Sequence, residues 1–346
     1  MTAFAPGNSH TVPFCGLAAT PADAIAPDAV AAVIGGGHSL GTAHEGTENG
    51  PFFIRTLSKA YTWSAETPTV LDLRAGAPLL DGVVDLGDIT FDGMSLTEAL
   101  NAIENVVKAL PPNVAPCLIG GDHSVTLPMV RALRARRDRP FRVVQFDHHL
   151  DLQIWNQGAD RSAAAREPIF NTNVMSHIAD EIGPGGLVQI GIDPYATVEA
   201  AAAPAVLDYL ATVGRQICLT SPALDDPEAL RDAVGRGGDV YLTVDVDVLD
   251  RSAMSATAYP ADAGMTVREL LRSIDAVLSE NRLIGFDMVE FATPRAARDP
   301  KTLADGGRAV AIMLHLLGWL TRQSRQAPIP DSAHPGEHLI TICPEA

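Results

Sequence analysis

Eight short runs rich in Val, Ile and Leu recur along this chain, at residues 28–35, 82–86, 114–119, 141–146, 187–192, 216–219, 239–246 and 283–290. They are near-continuous rather than alternating, which is the pattern of strands buried on both faces of a parallel sheet. Helical spacing of apolar positions lies between several of them, over 96–110, 126–136, the Ala-rich 198–212 and 267–279. The last opens on a capping box of Thr266 and Glu269, and residues 308–321 read as a final buried helix. Strand alternating with helix predicts a three-layer α/β/α fold with a mostly parallel, doubly wound sheet of about eight strands.

No composition shift or linker divides the middle of the chain, and no internal repeat is visible. Residues 1–27, rich in Pro, Ala and Gly, read as an extended arm, 28–324 as one domain, and the Pro- and Ser-rich 325–346 as a surface tail. A hydrophobic content of 47% in 346 residues is enough for a sizeable core. The net charge of −17 argues against nucleic acid, which needs clustered Lys and Arg, and against anionic membrane surfaces. Cys15, Cys117, Cys218 and Cys343 are scattered with no Cys-x-x-Cys pair, so a reducing compartment fits, and Cys117 reads as a buried thiol. The first Lys or Arg is Arg55, so the N-terminus lacks the basic region of a signal peptide. The apolar stretch 309–320 contains His315 and is too short to span a bilayer. The expectation is a soluble cytoplasmic protein with no membrane partner.

In doubly wound sheets, ligands sit beyond the carboxyl ends of the strands. Four runs end on polar residues there: Gly120-Gly121-Asp122-His123-Ser124, Asp147-His148-His149-Leu150-Asp151, Asp245-Val246-Asp247, and Glu290. Residues two apart in a strand point the same way, so Asp147, His149 and Asp151 are expected to share one side, and Asp245 and Asp247 another. Four carboxylates in one pocket repel, and burial raises the cost; bound cations are the simplest remedy. Carboxylate oxygens with imidazole nitrogens suit Mn²⁺, Zn²⁺, Fe²⁺ or Ni²⁺. The two acidic strings supply five candidate ligands and His123 a sixth. Six ligands with four negative charges fit two divalent cations, and two metals about 3.5–4 Å apart can share a water and lower its pKa toward neutrality.

These residues resemble the ureohydrolases: arginase, agmatinase, guanidinobutyrase, formimidoylglutamase and relatives. The family's Gly-Gly-Asp-His-Ser is matched at 120–124, its Asp-Ala-His-x-Asp at 147–151 with His148 in place of Ala, and its Asp-x-Asp-x-x-Asp at Asp245, Asp247 and Asp250. Its Asp-x-x-Glu is matched at Asp287 and Glu290, its Gly-Pro-x-x-Ile-Arg at 50–55, and its Asp-x-Gly-Asp turn at 85–88. The resemblance spans roughly residues 31–320 and implies an arginase-like fold. It implies that His123, Asp147, Asp151 and Asp245 hold one metal, and that Asp147, His149, Asp245 and Asp247 hold the other. Glu290 would then receive the substrate's guanidinium or amidine, a charge-assisted match. The implied cofactor is a pair of Mn²⁺ ions, with Ni²⁺ in some relatives. The implied activity is hydrolysis of a linear guanidino or amidine C–N bond with release of urea, agmatinase- or guanidinobutyrase-like, by a trimeric or hexameric homo-oligomer. Formimidoylglutamate, arginine, free guanidine or a specialised guanidino metabolite are the other substrates in view.

Two segments depart from the family pattern. Asn171 stands where relatives have a His that helps shuttle protons, and His177 is the candidate to replace it. After Asp250, Arg251 replaces a Pro and the loop reads Ser255-Ala256-Thr257-Ala258-Tyr259-Pro260, in a region that lines the substrate pocket in relatives. Trp155 falls in what should be an active-site loop, where an aromatic could stack on a guanidinium. His148 is expected to point away from its neighbours. The other function classes are a metal-bound but catalytically weak regulatory protein and a nucleotide-dependent oxidoreductase. The second already lacks its fingerprint, because Leu40 stands where the third Gly of Gly-x-Gly-x-x-Gly belongs.

Overall fold

A computed structural model describes residues 12–62, 69–152, 168–198, 200–201 and 203–325. All eight apolar runs are strands: β1 Ala31–Gly36, β2 Val83–Asp88, β3 Ala115–Gly120, β4 Phe141–Phe146, β5 Leu187–Ile192, β6 Gly214–Cys218, β7 Asp239–Asp245 and β8 Arg282–Val289. They form one sheet in the order β2-β1-β3-β8-β7-β4-β5-β6, and every pairing in it is parallel. The described helices are α1 Gly50–Ser58, α2 Leu96–Lys108, α3 Thr126–Arg136, α4 Val174–Ile182, α5 Ala203–Val213, α6 Pro227–Val234, α7 Val267–Ser279 and α8 Pro300–Arg325.

The sheet separates two apolar layers, as continuous apolar strands require. On one face Val33, Ile119, Val144 and Val244 pack with Phe53 of α1, Leu230 of α6, Ile274 of α7 and Met313 of α8. On the other, Ile34, Leu118, Val143 and Tyr241 pack with Ile103 of α2, Met129 of α3, Ile178 of α4 and Val206 of α5. Cys117 is fully buried on β3. The capping box of Thr266 and Glu269 is formed at the start of α7, and Ser95 with Glu98 makes another at α2.

Two helix boundaries differ from the sequence expectation. The 198–212 pattern becomes a helix only at Ala203, because Pro204 belongs in a first turn, where its missing N–H costs nothing. The final helix opens at Pro300, well before residue 308, with Asp299 Oδ1 accepting from Thr302 N at 2.9 Å. Gly306 and Gly307 hid that first part, since glycine weakens a helical pattern. A Cβ at Gly306 would lie 2.3 Å from Leu57 Cδ1, so the glycine lets α1 approach α8. By length and composition α8 is long and apolar enough to cross a bilayer, yet most of that window is buried inside the fold, as in a core helix.

Residues 14–20 lie along α1 and the outer edge of β2. Phe14 is fully buried; its N–H donates to Asp85 Oδ2 at 2.8 Å, Cys15 N to Ser58 Oγ at 2.8 Å, and Thr20 N to Asp85 O at 2.7 Å. This contact covers an otherwise open sheet edge. Asp85 also takes Arg55 Nη1 at 2.6 Å, while Arg55 Nε reaches Asp88 at 2.7 Å and Nη2 the Gly87 carbonyl at 3.0 Å. Arg55 is fully buried, so these partners are what makes its burial tolerable.

Candidate metal centre

The strands that carry the polar strings, β3, β8, β7 and β4, are consecutive neighbours in the sheet. Their carboxyl ends therefore deliver His123, Glu290, Asp245 and Asp147 to one short stretch of a single edge. Three strings then turn in the same way. Asp122 Oδ1 accepts from Ser124 N at 3.0 Å, Asp147 Oδ1 from His149 N at 2.6 Å, and Asp245 Oδ1 from Asp247 N at 2.9 Å. An aspartate that bonds the backbone two residues on makes a turn with one oxygen and keeps the other for its own use.

This corrects the expected route to convergence. β4 ends at Phe146, so Asp147, His149 and Asp151 share a side because the chain turns, not because a strand alternates. Asp247 likewise sits in a 3-10 turn over Val246–Val248. Asp151 has φ 48° and Glu290 φ 63°. Both are left-handed conformations, strained for a residue with a side chain, and such strain persists where the surroundings enforce it.

The gathered atoms form two groups, each with its donors within 4.8 Å of one another: His123, Asp147, Asp151 and Asp245, and Asp147, His149 and Asp247. Asp147 belongs to both. Asp245, implied as a second shared residue, falls in the first group only. His123 Nδ1 lies 3.2 Å from Asp147 Oδ2, 2.9 Å from Asp151 Oδ2 and 3.2 Å from Asp245 Oδ2. It is buried, and none of the three is aligned as a hydrogen-bond partner. Donor atoms about 3 Å apart around a shared point suit a cation with bonds of about 2.0–2.2 Å. The other ring nitrogen, Nε2, is 2.9 Å from Thr243 Oγ1; an N–H there leaves Nδ1 as the free ligand atom. His149 Nδ1 is 3.2 Å from Asp247 Oδ2, and Asp247 Oδ1 is buried without a partner among the described residues.

The electrostatics call for positive charge. Burial, then the neighbouring carboxylates, pushes the Asp245 and Asp247 carboxyls up, and burial with Asp147 pushes Asp151 up to about 6. Burial disfavours the charged imidazoles, yet Asp147 and Asp247 outweigh it and push His149 up to about 12; three aspartates raise His123 similarly. Protons here do what divalent cations would do, and a bound cation takes over that role. The donor set therefore fits a binuclear metal site.

Glu290 borders this cluster. Burial and Asp122 push its carboxyl up to about 8. His123 N donates to Oε1 at 2.8 Å and Asn171 Nδ2 to the same oxygen at 3.2 Å, so among the described residues Oε2 keeps its acceptor capacity. Asn171 N donates to Gly41 O at 2.8 Å and Gly41 N to Asp122 Oδ2 at 2.8 Å, which ties the 37–41 loop to the rim. A Cβ at Gly121 would lie 2.0 Å from His38 O, so only glycine allows that approach. On the far side, Tyr259 Oη is 2.5 Å from His44 Nε2, and its ring lies 6.1 Å from that of His149. Fully buried Asp305 of α8 holds the loop before Tyr259, accepting from Ser255 N at 2.8 Å and Ala256 N at 3.1 Å.

His148 reaches toward Asp193, with Nε2 3.6 Å from Oδ2, but its ring meets that of His149 edge-on at 5.4 Å, so it does not point away from that neighbour as the sequence suggested. His177 is buried on α4 and is not one of the groups gathered in the cluster. Trp155 lies outside the described residues. Sequence reasoning missed Gln145, whose Nε2 donates to Asp147 Oδ2 at 2.6 Å, along with Thr243, His44 and Asp305. Gln145 and Thr243 each stand two positions before a candidate ligand, so strand alternation was the available signal.

The arginase family profile matches residues 22–315. An agmatinase from Proteus mirabilis is 30% identical over 279 residues, covering 78% of this chain and 81% of its own. A proclavaminate amidinohydrolase from Streptomyces clavuligerus is 29% identical over 268 residues, covering 75% and 79%. Among solved structures, a Trypanosoma cruzi formiminoglutamase with Mn²⁺ superposes with a TM-score of 0.66 at 19% identity, covering 88% of this chain and 99% of its own. With the family match over most of its length and a buried His/Asp cluster that fits two metals, this chain belongs to the arginase family and is a metal-dependent amidino hydrolase.

Proposed function

We propose that this protein hydrolyses a linear guanidino compound of the agmatine or guanidinobutyrate type, releasing urea and an amine. The observation that carries the reading is the convergence of three carboxylates on the buried Nδ1 of His123, with the Glu290 carboxylate beside it. His123, Asp147, Asp151 and Asp245 would hold one cation, and Asp147, His149 and Asp247 the other. When bound, the pair supplies Lewis acidity and a water acidic enough to act as nucleophile near neutral pH. Mn²⁺ is the proposed ion, supported by the family and by the Mn²⁺ of the Trypanosoma cruzi structure, with Ni²⁺ as the alternative.

The chain's own residues do the rest. Glu290 Oε2 accepts from the planar cation, and the cation's charge favours the ionised form of a carboxyl that burial otherwise keeps protonated. Asn171 and the His123 N–H hold Glu290 in place, which is positioning catalysis. Water oxygen adds to the guanidinium carbon, the bond from that carbon to the alkyl nitrogen breaks, and the amine leaves with a proton. Asp151, at the edge of the cluster, is the proposed group for receiving that proton, on the carboxylate oxygen that does not face His123. His177 is the second candidate.

The test is urea release from a panel of guanidino compounds, and amide release from amidines, with Mn²⁺ or Ni²⁺ supplied. Turnover is expected to be fastest on one short guanidino amine or acid. A metal-loaded sample that turns over none of them would sink the enzyme assignment.

A further inference from the structure

Behind Asp147, three glutamines occupy one level of three neighbouring strands. Gln145 on β4 pairs in register with Gln189 on β5, and Gln189 with Gln216 on β6. Gln145 and Gln189 are fully buried, so their amides must be satisfied inside the protein. Their hydrogen bonds all run one way. Gln216 Nε2 donates to Gln189 Oε1 at 3.4 Å, Gln189 Nε2 to Gln145 Oε1 at 2.6 Å, and Gln145 Nε2 to Asp147 Oδ2 at 2.6 Å.

That direction is forced by the partners. Gln189 Nε2 also donates to the Leu150 carbonyl at 2.7 Å, and Gln145 Nε2 reaches the His149 carbonyl at 3.4 Å. Carbonyls, and an ionised carboxylate, only accept, so both amides must present nitrogen to this turn and oxygen to the strand behind. A reversed Gln145 would set its oxygen against the Asp147 carboxylate.

We propose that Gln145 and Gln189, with Gln216 behind them, form a polarised amide relay that positions the metal-binding turn 147–151. The proposal rests on the metal reading above. Gln145 fixes Oδ2 of the residue shared by both ligand groups, at the point where it faces His123 Nδ1. Gln189 pins the carbonyl of Leu150, one residue before Asp151 with its strained φ of 48°. The two glutamines touch no reacting atom; they act through Asp147 and Asp151 as positioning residues. Partners of this kind, one bond behind a metal ligand, typically set metal affinity within a factor of about 10–100.

The experiment uses the full chain and Mn²⁺, with affinity measured by competition against a fluorescent chelator and thermal unfolding of the metal-free form followed alongside. Methionine keeps the length of glutamine and removes the amide. Gln145→Met is expected to weaken Mn²⁺ binding by about 10–100-fold. Gln189→Met should weaken it too, although Gln189 does not touch the aspartate. Because the amides act in series, the double variant should lose less than the product of the two single effects; a merely structural role would lower the unfolding temperature of the metal-free form and leave Mn²⁺ affinity unchanged. Wild-type affinity in both single variants, or full multiplication in the double, overturns the relay. Should Gln145→Met not fold, Gln189→Met and Gln216→Met carry the test, and wild-type affinity in both overturns it. A wild-type protein that takes up no Mn²⁺ overturns the metal reading, and the relay with it. The two failures are distinguishable because wild-type binding is measured first.

Discussion

Asp147 holds three neighbours at once. Oδ1 accepts from His149 N, while Oδ2 accepts from Gln145 and faces His123 Nδ1. It is the one described residue common to both ligand groups, whereas His149 belongs to the second alone. Asp147→Ala is therefore expected to bind no divalent ion stably at either position, and His149→Ala to keep one. Metal analysis after dialysis reads this directly; two ions per chain in Asp147→Ala contradicts the assignment. The same residues give a pH dependence with a definite sign. Asp151 is pushed up to about 6 and Glu290 up to about 8, above their ordinary 3.8 and 4.5, by burial first and neighbouring carboxylates second. Between ordinary and raised values the folded state binds more protons than the unfolded one, so stability from these groups is present at low pH and is lost as pH rises through about 6 and then about 8. His149, raised to about 12, adds loss of the same sign above its ordinary 6.5. Asp147 is lowered by its two imidazoles against the effect of burial, so it runs the other way, but its window closes below its ordinary 3.8. The chelator-treated protein is thus expected to resist urea better at about pH 5 than at about pH 8; the reverse order would show that these carboxyls are not raised.

At the scale of elements, what the sequence made legible follows burial. The eight strands are buried on both faces, so their apolar runs are nearly unbroken, and each was found within a few residues. The helices α1, α4 and α6 were not anticipated as elements: at 9, 9 and 8 residues they make too few turns to establish a periodic pattern. Their stability comes from tertiary contact instead. α1 shows how. Arg55 is one helical residue, fully buried, and it ties α1 to β2 through Asp85, Asp88 and the Gly87 carbonyl. The sequence showed this only as a family-like Gly-Pro-x-x-Ile-Arg string, because the carboxylates that meet it lie about thirty residues away. Arg55→Ala leaves Asp85 buried without its cation, and removing one partner of a buried pair costs about 3–5 kcal/mol. Urea unfolding of the metal-free variant measures it. A loss below about 1 kcal/mol, the range of an exposed pair, would mean that solvent reaches this cluster.

At the scale of the whole molecule, the candidate ligands were legible one string at a time, but their assembly was not. Sequence places polar residues at the carboxyl ends of four strands; only sheet order shows that β3, β8, β7 and β4 are adjacent, although β3 and β8 stand far apart in the chain. Strand alternation also proposed the wrong local geometry for 147–151, where an Asx turn and a left-handed Asp151 aim the ligands. The rim was least legible, since the 37–46 and 251–260 loops meet through His44 with Tyr259, and Asp305 of α8 holds the second loop, contacts without a periodic signature. One consequence concerns stability. Four aspartates and Glu290 crowd one edge of a chain whose net charge is already −17, so folding brings together like charges that His123 and His149 only partly offset. Two divalent cations cancel four of those charges, and they bind the folded state because the unfolded chain has no assembled site. At a free concentration about a thousandfold above Kd, one such ion stabilises by about 4 kcal/mol. Chelation is therefore expected to lower Tm, and restoring Mn²⁺ to recover it. The far-UV circular dichroism below the transition should stay the same, because the strand pairings lie below the site, with Asp245 the one candidate ligand that stands at the end of a paired strand. A Tm indifferent to chelator and to added Mn²⁺ would mean that the carboxylates are balanced by protons alone and that the cluster does not hold metal.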